Sequence, residues 1–335
     1  MARLRYTQQD AMMPHPLPHR EPLMTTPDAS DRVTALRRTL GPTGIWSGVP
    51  ESFGVDGRDL AAAVEKHGFG SLWLGGSHMA PDAFTQLVTL LDGTTKLIVG
   101  TGIASIWGRE PSDMRQGADT LSTGFPGRFI LGLGVSHAPA VENLGRSYDR
   151  PYSAMERYLD EMDHPSGRSA ETPSGGEAPS ERAIRILAAL GPRMLELSRD
   201  EADGAHPYFS PVEHTSFARQ VLGPDKLLIP EQAVVLAQDS TAARSAARAY
   251  AQRYLQLPNY VTNLRRFGFG DSDTSGTGSD RLIDAIIPHG PEVVAERVRQ
   301  HLAAGADHVL LQPLGPDGKF AFDDLGPLAE ALAGL

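Results

Sequence analysis

A regular alternation of apolar runs and amphipathic stretches constrains the fold of this chain more than any other feature. From residue 30 onward, a short β-branched or apolar run is followed by a turn and then by about 10 to 15 residues with helical spacing, and this unit occurs eight times. Most of the runs are apolar throughout, which is typical of strands buried on both faces of a parallel sheet. The candidate strands are GIWSGV (44–49), SLWLGG (71–76), KLIVGTGI (96–103), RFILGLGV (128–135), AIRILAAL (183–190), GAHPYF (204–209), KLLIPEQ (226–232) and DHVLLQPL (307–314).

Eight strand–helix units in a chain of 335 residues predict an α/β fold of the (β/α)8 TIM-barrel type. The stretch PEVVAERVRQHLAAG (291–305) shows the helical part of the unit, with valines and a leucine on one face and a glycine at the end. An open doubly wound sheet is less compatible, because GIWSGVPESFG (44–54) lacks the phosphate-binding G-x-G-x-x-G after the first strand.

The domain organisation predicted from the sequence is a flexible N-terminal arm (1–29) followed by one barrel domain (30–335). The arm is rich in proline and has no apolar core, so we expect neither a signal peptide nor a helix there. Residues 163–181 are rich in Ser, Pro and Gly and are expected to form a flexible excursion. Residues 239–290 combine a long helix with a polar glycine run and are expected to form a lid-like insertion over the C-terminal mouth of the barrel.

Composition and missing motifs exclude several classes of protein. The formal net charge is −10, which argues against a nucleic-acid or anionic-membrane partner, and no apolar stretch reaches the ~20 residues of a membrane helix. We therefore expect a cytoplasmic protein. The chain has no cysteine, which excludes disulfides and a cysteine nucleophile. The eleven histidines are scattered without H-E-x-x-H, so no metal site is predicted, and no G-x-S-x-G elbow occurs.

The end of the fourth candidate strand, GRFILGLGVSH (127–137), could carry function, because active sites of barrels collect where strands end. Gly132 and Gly134 precede the polar pair Ser136-His137. Glycines at a strand end let a flat ligand or a phosphate approach the backbone. They could equally serve packing alone, and His137 could be an ordinary solvated loop histidine.

The end of the fifth candidate strand, ALGPRMLEL (189–197), has the residue order of a helix start. Gly191 is followed by Pro192, which suits the first helical position, and Arg193 comes next. Free backbone N–H groups beside an arginine suit an anionic group such as a phosphate. The alternative is an ordinary turn between a strand and a helix.

Taken together, the motifs GIWSG, GFGSLWLGG, LIVGTGI…REP, GRFILGLGVSH, ILAALGPRMLEL and EADGAHPYF resemble the bacterial-luciferase-like monooxygenase superfamily over residues 31–314. The resemblance is greatest to its F420-dependent oxidoreductases. It implies a TIM barrel with the deazaflavin coenzyme F420, or alternatively FMN, across the C-terminal mouth, and a homodimer. It also implies a non-prolyl cis peptide at the end of the third strand, which falls on Gly102-Ile103.

Residue-by-residue comparison with this family gives a set of cofactor-binding positions at four strand ends. Two departures concern the proton donor. Where many F420-dependent relatives have an acidic residue and a histidine, this chain has Gly76 and Ser77, with His78 one position later, and the family's acidic residue near the ring falls on His137. The cofactor-binding residues implied by the resemblance are Gly76, Ser77, Gly102, Ile103, Val135, Ser136, Ala189, Leu190, Gly191 and Pro192.

The reaction implied by the resemblance is hydride transfer from C5 of reduced F420 to a small organic substrate, with a proton from a nearby side chain. His137 and His78 are the candidate catalytic residues, because a histidine pKa near neutrality allows both donation and acceptance of a proton. The first alternative is an FMN-dependent monooxygenase, in which the reduced flavin reacts with oxygen. The second is a non-catalytic cofactor-binding protein of the same fold.

Overall fold

A computed structural model describes residues 29–75, 82–164 and 182–335, with side chains from residue 31 onward. Several sequence-based predictions lie outside these residues. They are the flexible arm except for its last residue, residues 165–181 of the flexible excursion, and the three candidate site residues Gly76, Ser77 and His78.

Every one of the eight predicted apolar runs contains a β-strand. All pairings between the strands are parallel, in the order β8-β7-β6-β5-β3-β2-β1-β10-β9, with β4 paired to β5. The prediction of an α/β fold with a parallel sheet is thereby confirmed. The strands are β1 (Thr43–Ser47), β2 (Ser71–Leu74), β3 (Ile98–Thr101), β4 (Ala104–Ser105), β5 (Phe129–Gly134), β6 (Ile184–Ala188), β7 (Gly204–His206), β8 (Leu227–Leu228), β9 (Glu231–Val234) and β10 (Val309–Pro313).

Two of the predicted strands differ from the structure. The third ends at Thr101 as β3, and β4 begins at Ala104, one residue beyond the predicted run, after the cis peptide bond Gly102-Ile103. The seventh divides into β8 and β9 at Ile229-Pro230, because proline has no N–H to continue the ladder. β8 pairs with β7 and β9 pairs with β10, so this one segment forms both ends of the strand order.

Helices alternate with the strands through the described residues. Several begin with proline, and α2 begins after Asp56, whose carboxylate accepts hydrogen bonds from the N–H groups of Arg58 and Asp59. The helices are α1 (Ala29–Leu40), α2 (Gly57–Lys66), α3 (Ala83–Asp92), α4 (Pro111–Gly124), α5 (Ala138–Glu142), α6 (Pro151–Asp163), α7 (Pro192–Glu201), α8 (Val212–Leu222), α9 (Ser240–Tyr254), α10 (Pro258–Arg266), α11 (Asp271–Thr274), α12 (Asp280–Ile286), α13 (Pro291–Ala303) and α14 (Leu325–Ala331), with 3-10 turns at Pro50–Phe53 and Phe322–Asp324.

Side chains from well-separated strands meet inside the curled sheet. Trp73 of β2 is fully buried, and its ring lies so close to β3 that a Cβ added at Gly100 would be 2.8 Å from it. Trp73 belongs to a buried cluster with Ile98, Ile130 and Leu310 from three other strands. This cluster is part of the buried interior of the sheet.

No helix among the described residues is long and apolar enough to cross a membrane.

Candidate active site

One large cavity lies where the parallel strands end. It has a volume of about 1180 Å³. Its wall includes nine of the twelve residues that the sequence analysis assigned to the site, and the other three lie outside the described residues. The nine are Gly102, Ile103, Val135, Ser136, His137, Ala189, Leu190, Gly191 and Pro192.

The cis bond Gly102-Ile103 lies in this wall and is held by Trp46. The indole Nε1 of Trp46 donates a hydrogen bond of 2.9 Å to the carbonyl oxygen of Gly102. A Cβ added at Gly102 would be 2.5 Å from the same nitrogen, so only glycine allows this close approach. The carbonyl of Gly102 is therefore held in one orientation by a cavity-lining indole.

The end of β5 brings His137 into the cavity. Ser136 precedes it with φ +56°, and its carbonyl oxygen accepts a hydrogen bond of 3.2 Å from the Tyr148 hydroxyl. The His137 ring lies 5.4 Å from the ring of Tyr260. Burial lowers the pKa of His137 below its usual 6.5, and a hydrogen bond with Asn259 partly offsets this effect.

The lowered pKa changes what His137 can do. A pKa below 6.5 leaves the imidazole neutral at neutral pH, so the side chain can accept a proton or share its N–H, while the imidazolium is disfavoured. The sequence argument for His137 as a proton donor used a pKa near neutrality, and the half-buried environment weakens that argument.

The turn between β6 and α7 forms another part of the cavity wall. The Nε2 atom of His214 donates a hydrogen bond of 2.9 Å to the carbonyl oxygen of Leu190, which fixes the turn. Helix α7 begins at Pro192, with its free N–H groups at this end. The Arg193 guanidinium lies 4.0 Å from the centre of the Tyr152 ring, which holds the charge at the cavity wall.

His206, the last residue of β7, also lines the cavity. Its ring lies 5.1 Å from that of Trp73, and its Nδ1 donates a hydrogen bond of 2.7 Å to the carbonyl oxygen of Ile229. Burial lowers the pKa of His206 to about 4, so the ring is neutral. Its buried Nε2 has no hydrogen-bond partner among the described residues.

Sequence reasoning missed a group of tyrosines. Tyr208, Tyr254 and Tyr260 line the cavity, and Tyr250 lies behind them with Glu231. Two signals were present in the sequence: Tyr208 lies near the end of the candidate strand GAHPYF (204–209), and Tyr250 and Tyr254 are four residues apart, which places them on one face of a helix. Neither signal indicates that these rings meet.

Glu231 is the most strongly perturbed carboxyl group behind the cavity. It is 2 % exposed, and its Oε2 accepts a hydrogen bond of 3.2 Å from the N–H of Phe209. Burial raises the pKa of Glu231 to about 8, although the hydrogen bonds from Phe209 and Tyr250 oppose the shift. The carboxyl group is therefore protonated at neutral pH.

Comparison with known proteins identifies the family. The family model of luciferase-like monooxygenases matches residues 55–308, and the chain belongs to this family. An uncharacterized protein of Mycobacterium tuberculosis is 25% identical over 303 residues, covering 75% of this chain and 88% of that protein. A putative coenzyme F420-dependent oxidoreductase of the same organism is 26% identical over 190 residues, covering 50% of this chain and 54% of that protein.

Solved structures agree in fold. An F420-dependent secondary alcohol dehydrogenase in complex with an F420–acetone adduct has a TM-score of 0.66 at 15% identity, covering 87% of this chain and 99% of that one. The oxygenating constituent of 3,6-diketocamphane monooxygenase from Pseudomonas putida, in complex with FMN, has a TM-score of 0.60 at 15% identity, covering 87% and 95%. Proteins of this fold therefore bind either cofactor.

Proposed function

We propose that this protein is an F420-dependent oxidoreductase that transfers a hydride between the deazaflavin and a small organic substrate. The observation that carries the proposal is the gathering of strand-end residues around one cavity, with Gly102, held by Trp46, and the start of α7 in its wall. The relative named as a putative F420-dependent oxidoreductase favours F420 over FMN.

The cavity fits a cofactor of this kind. Ligand pockets usually have volumes of ~300 to 1,000 Å³. A cavity of about 1180 Å³ therefore has room for a flavin-sized molecule together with a small substrate. Its wall contains two arginines, Arg193 and Arg266, against one carboxylate, Glu51, which suits an anionic tail.

Different residues of this chain would bind different parts of the cofactor and contact the substrate. The α7 N-terminus and Arg193 would hold the phosphate. The wall around Gly102, held by Trp46, would support the ring system, and His137 would contact the reacting groups. Bound F420 supplies hydride chemistry. The protein must then supply or accept one proton.

We also propose a single (β/α)8 barrel domain over residues 30–335. The segment that contains β8 and β9 pairs on both sides, which supports counting it as one strand in a closed ring. Tyr254, Asn259, Tyr260 and Arg266 contribute to the cavity wall, which supports residues 239–290 as an insertion over the mouth. The homodimer and the cytoplasmic location stay predictions.

The test is to titrate the purified protein with F420 and, in parallel, with FMN. Cofactor fluorescence measures the binding in each titration. We expect tighter binding of F420, and tight binding of FMN alone would overturn the proposal in favour of the flavin monooxygenase. Binding of F420 without turnover across ketones, imines and enones would favour the non-catalytic alternative.

Two arginines on α7 provide a test variant and its matched control for this titration. Arg193→Met removes a cation from the cavity wall. We expect F420 to bind about tenfold more weakly, because one charge-assisted hydrogen bond is lost. Arg199→Met removes an exposed arginine that is paired with Asp200 at the other end of the same helix. Equal affinity of the two variants would remove Arg193 from the cofactor site.

A further inference from the structure

A continuous line of hydrogen-bonding oxygens joins the buried carboxyl group of Glu231 to the cavity. The Tyr250 hydroxyl oxygen lies 3.4 Å from Glu231 Oε1 and 2.8 Å from the Tyr208 hydroxyl oxygen. Tyr208 is half-buried and lines the cavity. Glu231 and Tyr250 are almost fully buried, so this line connects a group without solvent contact to a ligand-sized space.

The far end of the line lies close to the proposed cofactor position. The ring of Tyr208 is 5.1 Å from that of Trp46, the side chain that donates to the Gly102 carbonyl oxygen at the cis bond. The Tyr208 hydroxyl also lies 2.9 Å from that of Tyr254, a second cavity-lining residue. A proton that reaches Tyr208 is thus close to the part of the cavity where a substrate would react.

The number of protons in this cluster favours a neutral Glu231. The Gln312 Oε1 atom lies 3.0 Å from the Tyr208 hydroxyl oxygen and 3.1 Å from that of Tyr250, in addition to the contacts among the hydroxyl groups. The oxygen–oxygen contacts outnumber the three hydroxyl protons of Tyr208, Tyr250 and Tyr254. A proton on Glu231 therefore fills a contact that would otherwise join two acceptors.

We propose that Glu231, Tyr250 and Tyr208 form a proton path between a buried carboxylic acid and the cavity. The O–H bond of Glu231 breaks as its proton passes to the Tyr250 oxygen, Tyr250 passes its own proton to Tyr208, and Tyr208 passes its own to an acceptor in the cavity. Both tyrosines end neutral and Glu231 ends as a carboxylate. Water in the cavity reloads the path in reverse.

The path completes the proposed reaction, and that use of it rests on the proposed function. Hydride transfer to a carbonyl carbon leaves a negative oxygen that needs one proton. Burial lowers the pKa of His137, which disfavours its imidazolium form as the donor. Tyr208 would donate instead. The link of 3.4 Å between Tyr250 and Glu231 is the longest in the path, so we expect it to limit the rate.

Among the described residues, few other titratable groups surround Glu231. Those that face it are Tyr250 and Tyr254 of α9, Tyr260 of α10, and Tyr208 after β7. Burial raises the pKa of each of these tyrosines above 10. None of them is charged at neutral pH, so the state of Glu231 is set by its own burial and hydrogen bonds.

The first measurement needs neither cofactor nor substrate. Infrared difference spectra of the wild-type protein against Glu231→Gln, recorded at about pH 6.5, should show a carboxylic acid C=O stretch. Gln preserves the shape of the side chain and cannot ionise. A spectrum with only the carboxylate bands of Glu231 at this pH would overturn the proposal.

The second measurement follows the exchange of that proton after mixing with D2O, which shifts the same band. Tyr250→Phe and Tyr208→Phe should each slow exchange more than about tenfold, because exchange then requires local opening of the structure. Tyr254→Phe removes a hydroxyl from the same cluster but not from the path, and should change the rate by less than about twofold. Equal rates in all of these proteins would overturn the path.

Folding and the proposed function are controlled separately. Thermal unfolding and backbone amide exchange establish that each variant keeps the native fold, and if Tyr250→Phe does not fold, Tyr208→Phe gives the same test. Failure of the protein to bind F420 would overturn the proposed function and leave the infrared result valid. Normal F420 binding with unchanged proton exchange in the path variants would overturn the path alone.

Discussion

At the scale of single residues, Glu231 lowers the stability of the fold as the pH rises. Its folded-state pKa of about 8 lies above the ordinary value of 4.5. Between these values the unfolded state loses the proton and the folded state keeps it, so the free energy of unfolding falls with rising pH. Below pH 4.5 both states are protonated and the penalty disappears.

Glu231→Gln should remove this dependence. Between pH 5 and 8 we expect the free energy of unfolding to fall less for the variant than for the wild type. The two falls should differ by a few kcal/mol. Urea unfolding at several pH values measures it. Asp59→Asn, an exposed position in the first turn of α2, is the control and should keep the wild-type slope. Parallel curves for wild type and Glu231→Gln would contradict the assigned pKa.

His137 provides the second prediction at this scale. Its ring lies in the cavity wall beside Tyr260, so we expect His137→Ala to lower turnover more than about tenfold while F420 affinity changes less. Steady-state kinetics and cofactor titration measure the two effects. His164→Ala, at an exposed histidine after α6, serves as the control. Unaltered turnover of His137→Ala would remove this residue from the catalytic role.

At the scale of elements, β3 and β5 depend on glycine where they approach each other. A Cβ added at Gly132 of β5 would lie 1.9 Å from the carbonyl oxygen of Thr101 in β3. The Thr101 hydroxyl also donates to the Gly132 carbonyl oxygen at 2.7 Å and accepts from its N–H at 2.8 Å. These contacts hold the two strands at the spacing that places Gly102 and His137 in one cavity.

Gly132→Ala should therefore destabilise the protein by about 2 kcal/mol or more, because backbone cannot move aside as a flexible side chain can. Chemical denaturation measures the change. Gly124→Ala is the matched control, since a Cβ there meets nothing within 4 Å and the residue ends α4. Equal losses of unfolding free energy for the two substitutions would show that β3 and β5 do not approach each other this closely at Gly132.

At the scale of the whole molecule, four buried histidines make the fold less stable as the pH falls. Burial lowers the pKa values of His206, His214 and His308 to about 4 and that of His301 to about 3. Below 6.5 the unfolded state binds protons that the folded state does not bind. Each histidine then removes about 1.4 kcal/mol of unfolding free energy per pH unit until its folded pKa is reached.

We therefore expect the greatest stability near neutral pH. Acidification from 6.5 toward 4 should destabilise the protein steeply, and the slope above 6.5 should be weaker and opposite in sign because Glu231 alone contributes there among these groups. Thermal unfolding midpoints across this range measure the profile. A midpoint that stays constant or rises on acidification would show that these histidines are not neutral in the folded state.

The sequence by itself determined the succession of strands and helices and the strand ends that carry the site. Apolar runs, helical spacing and glycine or proline at turns are local properties, so they can be read along the chain. The strand ends around Gly102, Ser136 and Gly191 were found in this way, and all three line one cavity. The break at Pro230 was also visible as a residue, although its effect on pairing was not anticipated.

Only the tertiary structure decided the ionisation states and the neighbours of the polar groups. Glu231, Tyr208, Tyr250 and Gln312 come from four separate parts of the chain, and no local pattern indicates that they meet. Desolvation depends on every atom that surrounds a group, so the neutral state of His137 and the proton on Glu231 follow from packing. The sequence thus located the site, and packing determined how its groups hold their protons.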